Sequence, residues 1–411
     1  MKVGIVGGGA AGMMCAATIN ESDHNIAVFL IERNDLLGKK VLISGGGRCN
    51  VTTGIQDLKI VLKKYPRGEK FLFSAMHKFS PEMVYDWFEQ HRVPLKCEKD
   101  MRVFPVSNQG RDVVRAFEEI FSKNKTEVLF KHTVTAVEKK GDKFLIFFKD
   151  QAPLEVDKLV LSLGGQAFRH TGSAGDGYTL AESLGHSITS LAPSLFSFVT
   201  KEIWPKNLSG LSLAKVNILV QAHKRQNFTG PFLFTHWGLT GPAIFALSAM
   251  IAFENFNKAE PLKIFIDFLP DISVEKLDAD LKKILKNNPK KSLKNSLHSL
   301  IPLALAEIIC QELNIDLEKK NAQISKQELF LVQQFLKRAP LHIIGRGPGD
   351  EFVTAGGVDL TEVNPRTMES KICPGLYFAG EILNIDGFTG GFNLQASWAT
   401  GRAAGEAAAI S

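Results

Sequence analysis

Three clusters in this chain combine residue types and spacings that can do chemistry. The first is Gly7-x-Gly9-x-x-Gly12, followed by Glu32, 20 residues after the last glycine. Gly7 can make a tight turn, Gly9 lets the backbone approach a pyrophosphate, and Gly12 lets a helix pack closely on a strand. The amides of Ala10, Ala11 and Gly12 then open a helix, where free N–H groups and the positive dipole end favour phosphate. A carboxylate at the Glu32 spacing accepts hydrogen bonds from an adenosine ribose. Arg33 comes next, but a reader of a 2′-phosphate replaces the acid, so FAD or NAD is expected ahead of NADP. The second cluster is near the other end. Gly380-Glu381 closes a strand, a glycine-rich turn runs from Gly387 to Gly391, and Phe392, Asn393 and Leu394 lead into a long small-residue helix. Such a turn suits the pyrimidine end of a flavin, because N–H groups and the dipole stabilise negative charge near N1 and O2. Glu381 is the first candidate to hold the ribityl hydroxyls and Asp386 the second. The third cluster is "GKKVLISGGGRCN", with three consecutive glycines before Arg48, Cys49 and Asn50.

These clusters need elements to hold them. "KVGIV" and "IAVFLIE" read as buried strands flanking a helix, and Leu376 to Ala379 and Leu159 to Leu163 as further strands. Ser80-Pro81 has the form of a helix start. "TEVLFKHTVTAVEKKGDKFLIFFKD" alternates and turns at Gly141-Asp142, as a hairpin does. From about Leu191 the pattern changes to strand-like runs, including "AKVNILVQAHKRQNFTGPFLFTH". Helical periods follow, and alternation returns at "LHIIG".

The bulk numbers bound the answer. At 411 residues, 45% hydrophobic and 22% charged, the chain suits two or three globular domains. A net charge of +6 fits an anionic cofactor or substrate and falls short of a nucleic-acid binder's footprint. The lysines between Lys276 and Lys294 read as a solvated helix face. Five cysteines without a CxxC pair point to neither a zinc site nor a dithiol, and an odd count fits a reducing, cytoplasmic compartment. The glycines of the N-terminus make a poor signal-peptide core, and no apolar run is long enough to predict a membrane span.

Taken together, the glycine fingerprint, "SGGGRCN", "GSAGDGY", "FTHWGLTGP", "TAGGV" and "GLYFAGEILNIDGFTGGFNLQ" resemble the YhiN/BaiN-like FAD flavoproteins. These lie within the superfamily that includes glutathione reductase and fumarate reductase. The resemblance implies an α/β fold: a discontinuous Rossmann-like FAD/NAD(P)-binding domain at 1–190 and 351–411. It is interrupted by a β-rich subdomain at 191–270 and 339–350, which carries a helical subdomain at 271–338. It also implies that Ser44, Gly45 and Gly46 run along the pyrophosphate and ribityl chain, with Arg48 neutralising phosphate. Lys39 or Lys40 would reach the adenosine side, and Cys49 and Asn50 would fall nearest the isoalloxazine. Position 54 is glycine, so Cys49 lacks the partner of a disulfide relay and reads as a small wall beside the flavin. Gly164 and Gly165 would pass beneath FAD, and Thr171, Gly172 and Ser173 would be flavin neighbours. His236, beside Trp237 in the insert, is the candidate general acid, with a structural turn histidine as the alternative.

The expected activity is that of an FAD-dependent oxidoreductase using hydride transfer at flavin N5. No second complete dinucleotide fingerprint is present, so NAD(P)H would dock transiently as donor to a reductase of a small or steroid-like substrate. An O2-dependent oxidase of a small amine or ketone is the alternative. A flavoprotein acting on RNA is the reading from another class, supported only by the Lys276–Lys294 face.

Overall fold

The computed structural model describes residues 1–22, 25–124, 126–221 and 225–410. The chain divides into two compact units, one formed by residues 1–194 with 350–411 and the other by 195–349.

The first unit is built on a parallel sheet of β1 (Lys2–Val6), β2 (Ala27–Ile31), β3 (Thr126–Leu129), β4 (Lys158–Leu161) and β5 (Leu376–Phe378). Its order is β5-β4-β1-β2-β3, and every pairing is parallel. Val3, Ile5, Leu30, Val160 and Leu376 are fully buried, as expected of strands covered on both faces. Four helices matter for the site: α1 (Ala10–Ser22), α2 (Gly110–Lys123), α3 (Asp176–Ser183) and α4 (Phe392–Ala408). Small residues let α1 and α4 approach closely, for a Cβ on Gly401 or Gly405 would press on the carbonyls of Ala11 and Cys15. Trp398 of α4 is fully buried, stacks on Phe117 of α2 at 5.7 Å, and donates to the Val51 carbonyl at 2.9 Å. That bond fixes the chain just past the triple-glycine loop.

The predicted hairpin forms, with Val134–Lys140 paired to Lys143–Phe148 around Gly141-Asp142. Its first residues, Thr126 to Leu129, join the parallel sheet instead, because their apolar positions continue β2's edge. Ser80 caps its helix through the Met83 amide at 3.2 Å.

The second unit contains a closed antiparallel barrel. Around it, in order, run Phe198–Thr200, Gly238–Thr240, Arg225–Phe234, Ser212–Gln221, Leu262–Asp267 and Ala339–Arg346. Part of the strand-like run read across this region, residues 222–224, lies outside the described residues. The helices between Val274 and Arg338 place Leu277, Leu281, Leu305, Ile309, Val332 and Leu336 in one apolar core with barrel residues such as Ile218 and Ile266. The expected helical segment thus packs into the barrel's core rather than around one of its own.

One buried polar cluster stands apart from the glycine loops. The His186 ring is enclosed, with Nδ1 3.0 Å from Glu362 and Nε2 2.7 Å from the Ser370 hydroxyl. Burial pushes its pKa below the ordinary 6.5, against the opposing pull of Glu362. A histidine depressed in the fold contributes stability that is complete above about pH 6.5 and is lost as pH falls below it. Melting temperature should therefore fall between pH 7 and pH 5, and His186→Gln should flatten that slope. Calorimetry across this window checks it; an unchanged slope in the variant excludes His186 as the cause.

Candidate functional site

The first glycine turn is held from within the protein. Gly7, at φ +107°, donates to the Ile31 carbonyl at 2.8 Å, and the Gly8 amide donates to Glu32 Oε2 at 2.9 Å. Gly12 is required by the fold, since a Cβ there would overlap the Gly7 carbonyl oxygen. Gly9 is different: its Cβ would meet no protein atom within 4 Å. The first bond inside α1 runs from Met13 to the Gly9 carbonyl, so the amides of Ala10, Ala11 and Gly12 precede the helical ladder.

Glu32, buried at the end of β2, also accepts from the Asn34 amide at 2.8 Å and its side-chain nitrogen at 2.6 Å. Asn34 and Arg33 reach the middle of the chain. Asn34 donates to the Thr171 carbonyl at 3.0 Å, and Arg33 donates to the Gly172 carbonyl at 3.3 Å and pairs with Asp176 at 2.6 Å. Lys39 donates to Asn34 at 3.0 Å and lies 3.7 Å from Asp35. Lys40 points elsewhere. Its ammonium donates to Glu381 Oε2 at 3.0 Å and to the Ser173 hydroxyl at 3.1 Å. Ser173 donates to the Gly165 carbonyl at 2.9 Å, and Glu381 Oε1 accepts from the Thr354 amide at 2.9 Å. Gly164, at φ +76°, faces Ser173. Gly380 donates to Thr400 at 2.9 Å and abuts Ala11, so the start of α1 and the end of β5 meet there.

The triple-glycine loop is a short helical turn, Ser44–Gly47, in which Gly45, Gly46 and Gly47 all have positive φ and are exposed. A Cβ on Gly46 or Gly47 would meet no protein atom. Two features of the loop bear on Arg48 and Cys49. Arg48 donates to Glu98 at 2.8 Å and lies 3.8 Å over the Phe104 ring, so its charge is already matched. Cys49 keeps no accessible surface and packs near Gly110, whereas a side chain lining an open cleft would remain accessible. Burial pushes its thiol up to about 12, with Ser44 acting the other way, so thiolate chemistry is suppressed. The neighbouring Asn50 has a buried side-chain carbonyl oxygen with no donor among the described residues.

At the other end, Gly391 caps α4 at φ +91°, and a Cβ there would overlap the Thr52 carbonyl. Asn393 locks the preceding loop by accepting from the Gly387 amide and donating to its carbonyl, both at 2.8 Å. The first bond of α4 is Gln395 to Gly391, leaving the amides of Phe392, Asn393 and Leu394 ahead of it. Asp386, the second candidate for the ribityl hydroxyls, is wholly buried, pairs bidentately with Arg67, and accepts from Ser194 at 2.6 Å. Burial pushes its carboxyl up while Arg67 and Ser194 pull it down. In the structure it forms a buried ion pair with Arg67.

His236 lies in the second unit, exposed in the turn before Gly238–Thr240, with Trp237 edge-on at 4.4 Å. The other candidates belong to the first unit. Sequence reading missed Asn34, Thr354, Thr52 and Gln395. The last two bond to each other at 2.6 Å and tie the loop past Asn50 to α4. Asn34 sits two residues beyond Glu32, a position its polarity could have flagged.

The residues present fit FAD. Gly9, Gly46 and Gly47 leave backbone open where a Cβ would project, two sets of helix-opening amides stand ahead of the helical ladders as anionic groups would require, and Asn50 offers an unmatched acceptor. Glu32 and Glu381 would serve the two sugar ends. Among the described residues no group of three or more His, Cys, Asp or Glu could hold a metal, and no helix is long and apolar enough to cross a membrane.

The family described as HI0933-like protein Rossmann domain matches residues 1–407. A 3-dehydro-bile acid delta(4,6)-reductase of Clostridium scindens is 29% identical over 410 residues, covering 99% of each chain. A ribosomal RNA dihydrouridine synthase of Escherichia coli is 29% identical over 397 residues, covering 96% of this chain and 95% of the relative. Among solved structures, a 3-ketosteroid delta1-dehydrogenase from Sterolibacterium denitrificans matches at TM-score 0.51 with 12% identity, covering 99% of both chains. A flavocytochrome c3 fumarate reductase matches at TM-score 0.50 with 15% identity over 99% of this chain and 78% of that one. These structural matches establish a shared fold.

Two substitutions separate ligand contact from folding. Gly9→Val should leave the melting temperature of ligand-free protein nearly unchanged and abolish FAD binding; Gly12→Ala should cost about 1–3 kcal/mol of stability by overpacking. Melting curves with flavin-fluorescence titration distinguish them. Iodoacetamide on folded protein should label exposed Cys97 and spare Cys49, as peptide mass mapping would show.

Proposed function

The chain belongs to the HI0933-like Rossmann family, and from that premise we propose that it is an FAD-dependent reductase of carbon–carbon double bonds conjugated to a carbonyl, with NAD(P)H as electron source. The observation that carries this reading is a cradle with two matched ends. The α1 amides with Glu32 would form one end and the α4 amides with Glu381 the other, and Gly9, Gly46 and Gly47 leave their Cβ space open. One end suits adenosine and pyrophosphate, the other the ribityl chain and the pyrimidine edge of the ring. FMN would leave the Gly9 and Glu32 end without a ligand. When bound, the flavin supplies a two-electron hydride exchange. The chain's own residues orient it: backbone amides meet the phosphates, Lys40 holds the Glu381 carboxylate, and α4 places positive dipole where negative charge gathers.

The substrate class is supported by chemistry common to the names of the two relatives. A delta(4,6)-reductase of a keto bile acid and a dihydrouridine synthase both act by saturating a ring double bond conjugated to a carbonyl. A small or steroid-like enone is the first reading. A uridine within RNA is the second, and one observation favours it. The unit at 195–349 holds 20 Lys and Arg against 13 Asp and Glu, a net +7, while the rest of the chain holds 29 against 30, a net −1. The basic excess is thus confined to one unit, where it could steer a polyanion.

The test is anaerobic. Protein should release FAD, identified by mass; NADH or NADPH should bleach it. A 3-keto-4-ene steroid should then restore the oxidised spectrum faster than a uridine-containing rRNA fragment. FMN alone, or no flavin after reconstitution, overturns the cofactor reading. Faster recovery with RNA selects the second substrate reading.

A further inference from the structure

Resting on that reading, we propose that His170 is the residue that protonates the reduced substrate. It lies in the short helix Arg169–Thr171, directly before Gly172 and Ser173, whose backbone and hydroxyl join Arg33 and Lys40. Its Nδ1 is 3.3 Å from Asp350 Oδ2, while the side chain remains 63% exposed. The residue before the helix, Phe168, adopts φ +55°, a strained conformation for a bulky side chain, held by Thr171, whose amide and hydroxyl both donate to its carbonyl at 2.8 Å. That conformation sets the Phe168 ring parallel to Phe352, with centroids 5.8 Å apart and planes 10° apart, and His170 stands edge-on to Phe168 at 6.0 Å.

Both sides of this cluster are mounted on the segments of the Glu381 network. Phe352 is two residues before Thr354, whose amide donates to Glu381 and whose hydroxyl accepts from the Gln166 amide at 2.7 Å. Paired phenyl rings give a flat apolar wall for a planar substrate. A general acid needs reach, an orienting partner and access to the reacting atoms. The Asp350 carboxylate lies 3.3 Å from His170 Nδ1, which leaves Nε2 as the nitrogen open to deliver a proton. His236 has no ion-paired carboxylate among the described residues, and its neighbour is Trp237.

With FAD bound and reduced by a nicotinamide donor, the substrate's β-carbon would receive hydride, with both electrons. The carbon–carbon π pair moves toward the carbonyl as an enolate. The protonated His170 gives its Nε2 proton to the α-carbon, and the neutral imidazole regains a proton from water.

The experiment uses FAD-loaded protein whose flavin has been photoreduced without oxygen, mixed with androst-4-ene-3,17-dione. His170→Ala should retain full FAD content and normal flavin reduction by NADPH. It should slow reoxidation by the steroid by about 10²–10⁴-fold, and added imidazole should recover much of that rate. Asp350→Asn should slow the same step less, and Asp350→Glu should restore it. If wild-type flavin is not reoxidised by the steroid, the substrate reading fails and the inference with it. If wild type responds and His170→Ala is equally fast, or is slow without imidazole rescue, the inference alone is overturned.

Discussion

The carboxylate of Glu32 ties the nucleotide end of the fold together. One oxygen holds the Gly8 amide, and the other holds both nitrogens of Asn34. Asn34 in turn holds the Thr171 carbonyl, so strand end, glycine turn and the middle of the chain share one anchor. A buried carboxylate is costly unless donors surround it, and here three N–H groups do. Acceptor capacity remains beyond those three bonds, which is what a sugar hydroxyl would use.

The distribution of charge follows from the same economy of burial. Arg33 is matched by Asp176, Arg48 by Glu98, Arg67 by Asp386 and Lys40 by Glu381. Each cation is committed to a carboxylate of this chain, so attraction for a pyrophosphate rests mainly on oriented amides. Such dipoles are fixed by the fold and need little rearrangement when a ligand arrives. The side chains then serve orientation: Lys40 aims Glu381, and Arg67 with Asp386 pins the loop before α4.

Much of this was legible in the sequence because backbone geometry writes itself in residue type. Gly7, Gly12 and Gly391 stand where a turn or a close approach demands them, and the spacing to Glu32 followed from one βα unit. Side-chain partnerships were not legible, since they join residues far apart in the chain. Nothing near Arg48 announces Glu98, and nothing near Asp386 announces Arg67 and Ser194. Cys49 shows the limit well. Its position beside three glycines was readable, but the direction of its side chain depends on a positive φ and on Gly110, 61 residues later. The helices beyond Val274 were found by their period; which core they would fill was not encoded in that period.

The central sheet carries a cost in time. Its fifth strand, Leu376–Phe378, pairs with Lys158–Leu161, and the whole 195–349 unit is translated between them. On the ribosome, the edge of β4 must wait for more than 200 residues, at roughly 5–20 residues per second, before its partner emerges. During that interval a buried-type strand edge has no native neighbour and is open to mispairing. The intervening unit, with its own closed barrel and core, can fold first and take its apolar surface out of circulation. Synthesis order thereby makes the insert the early folder and its host the late one.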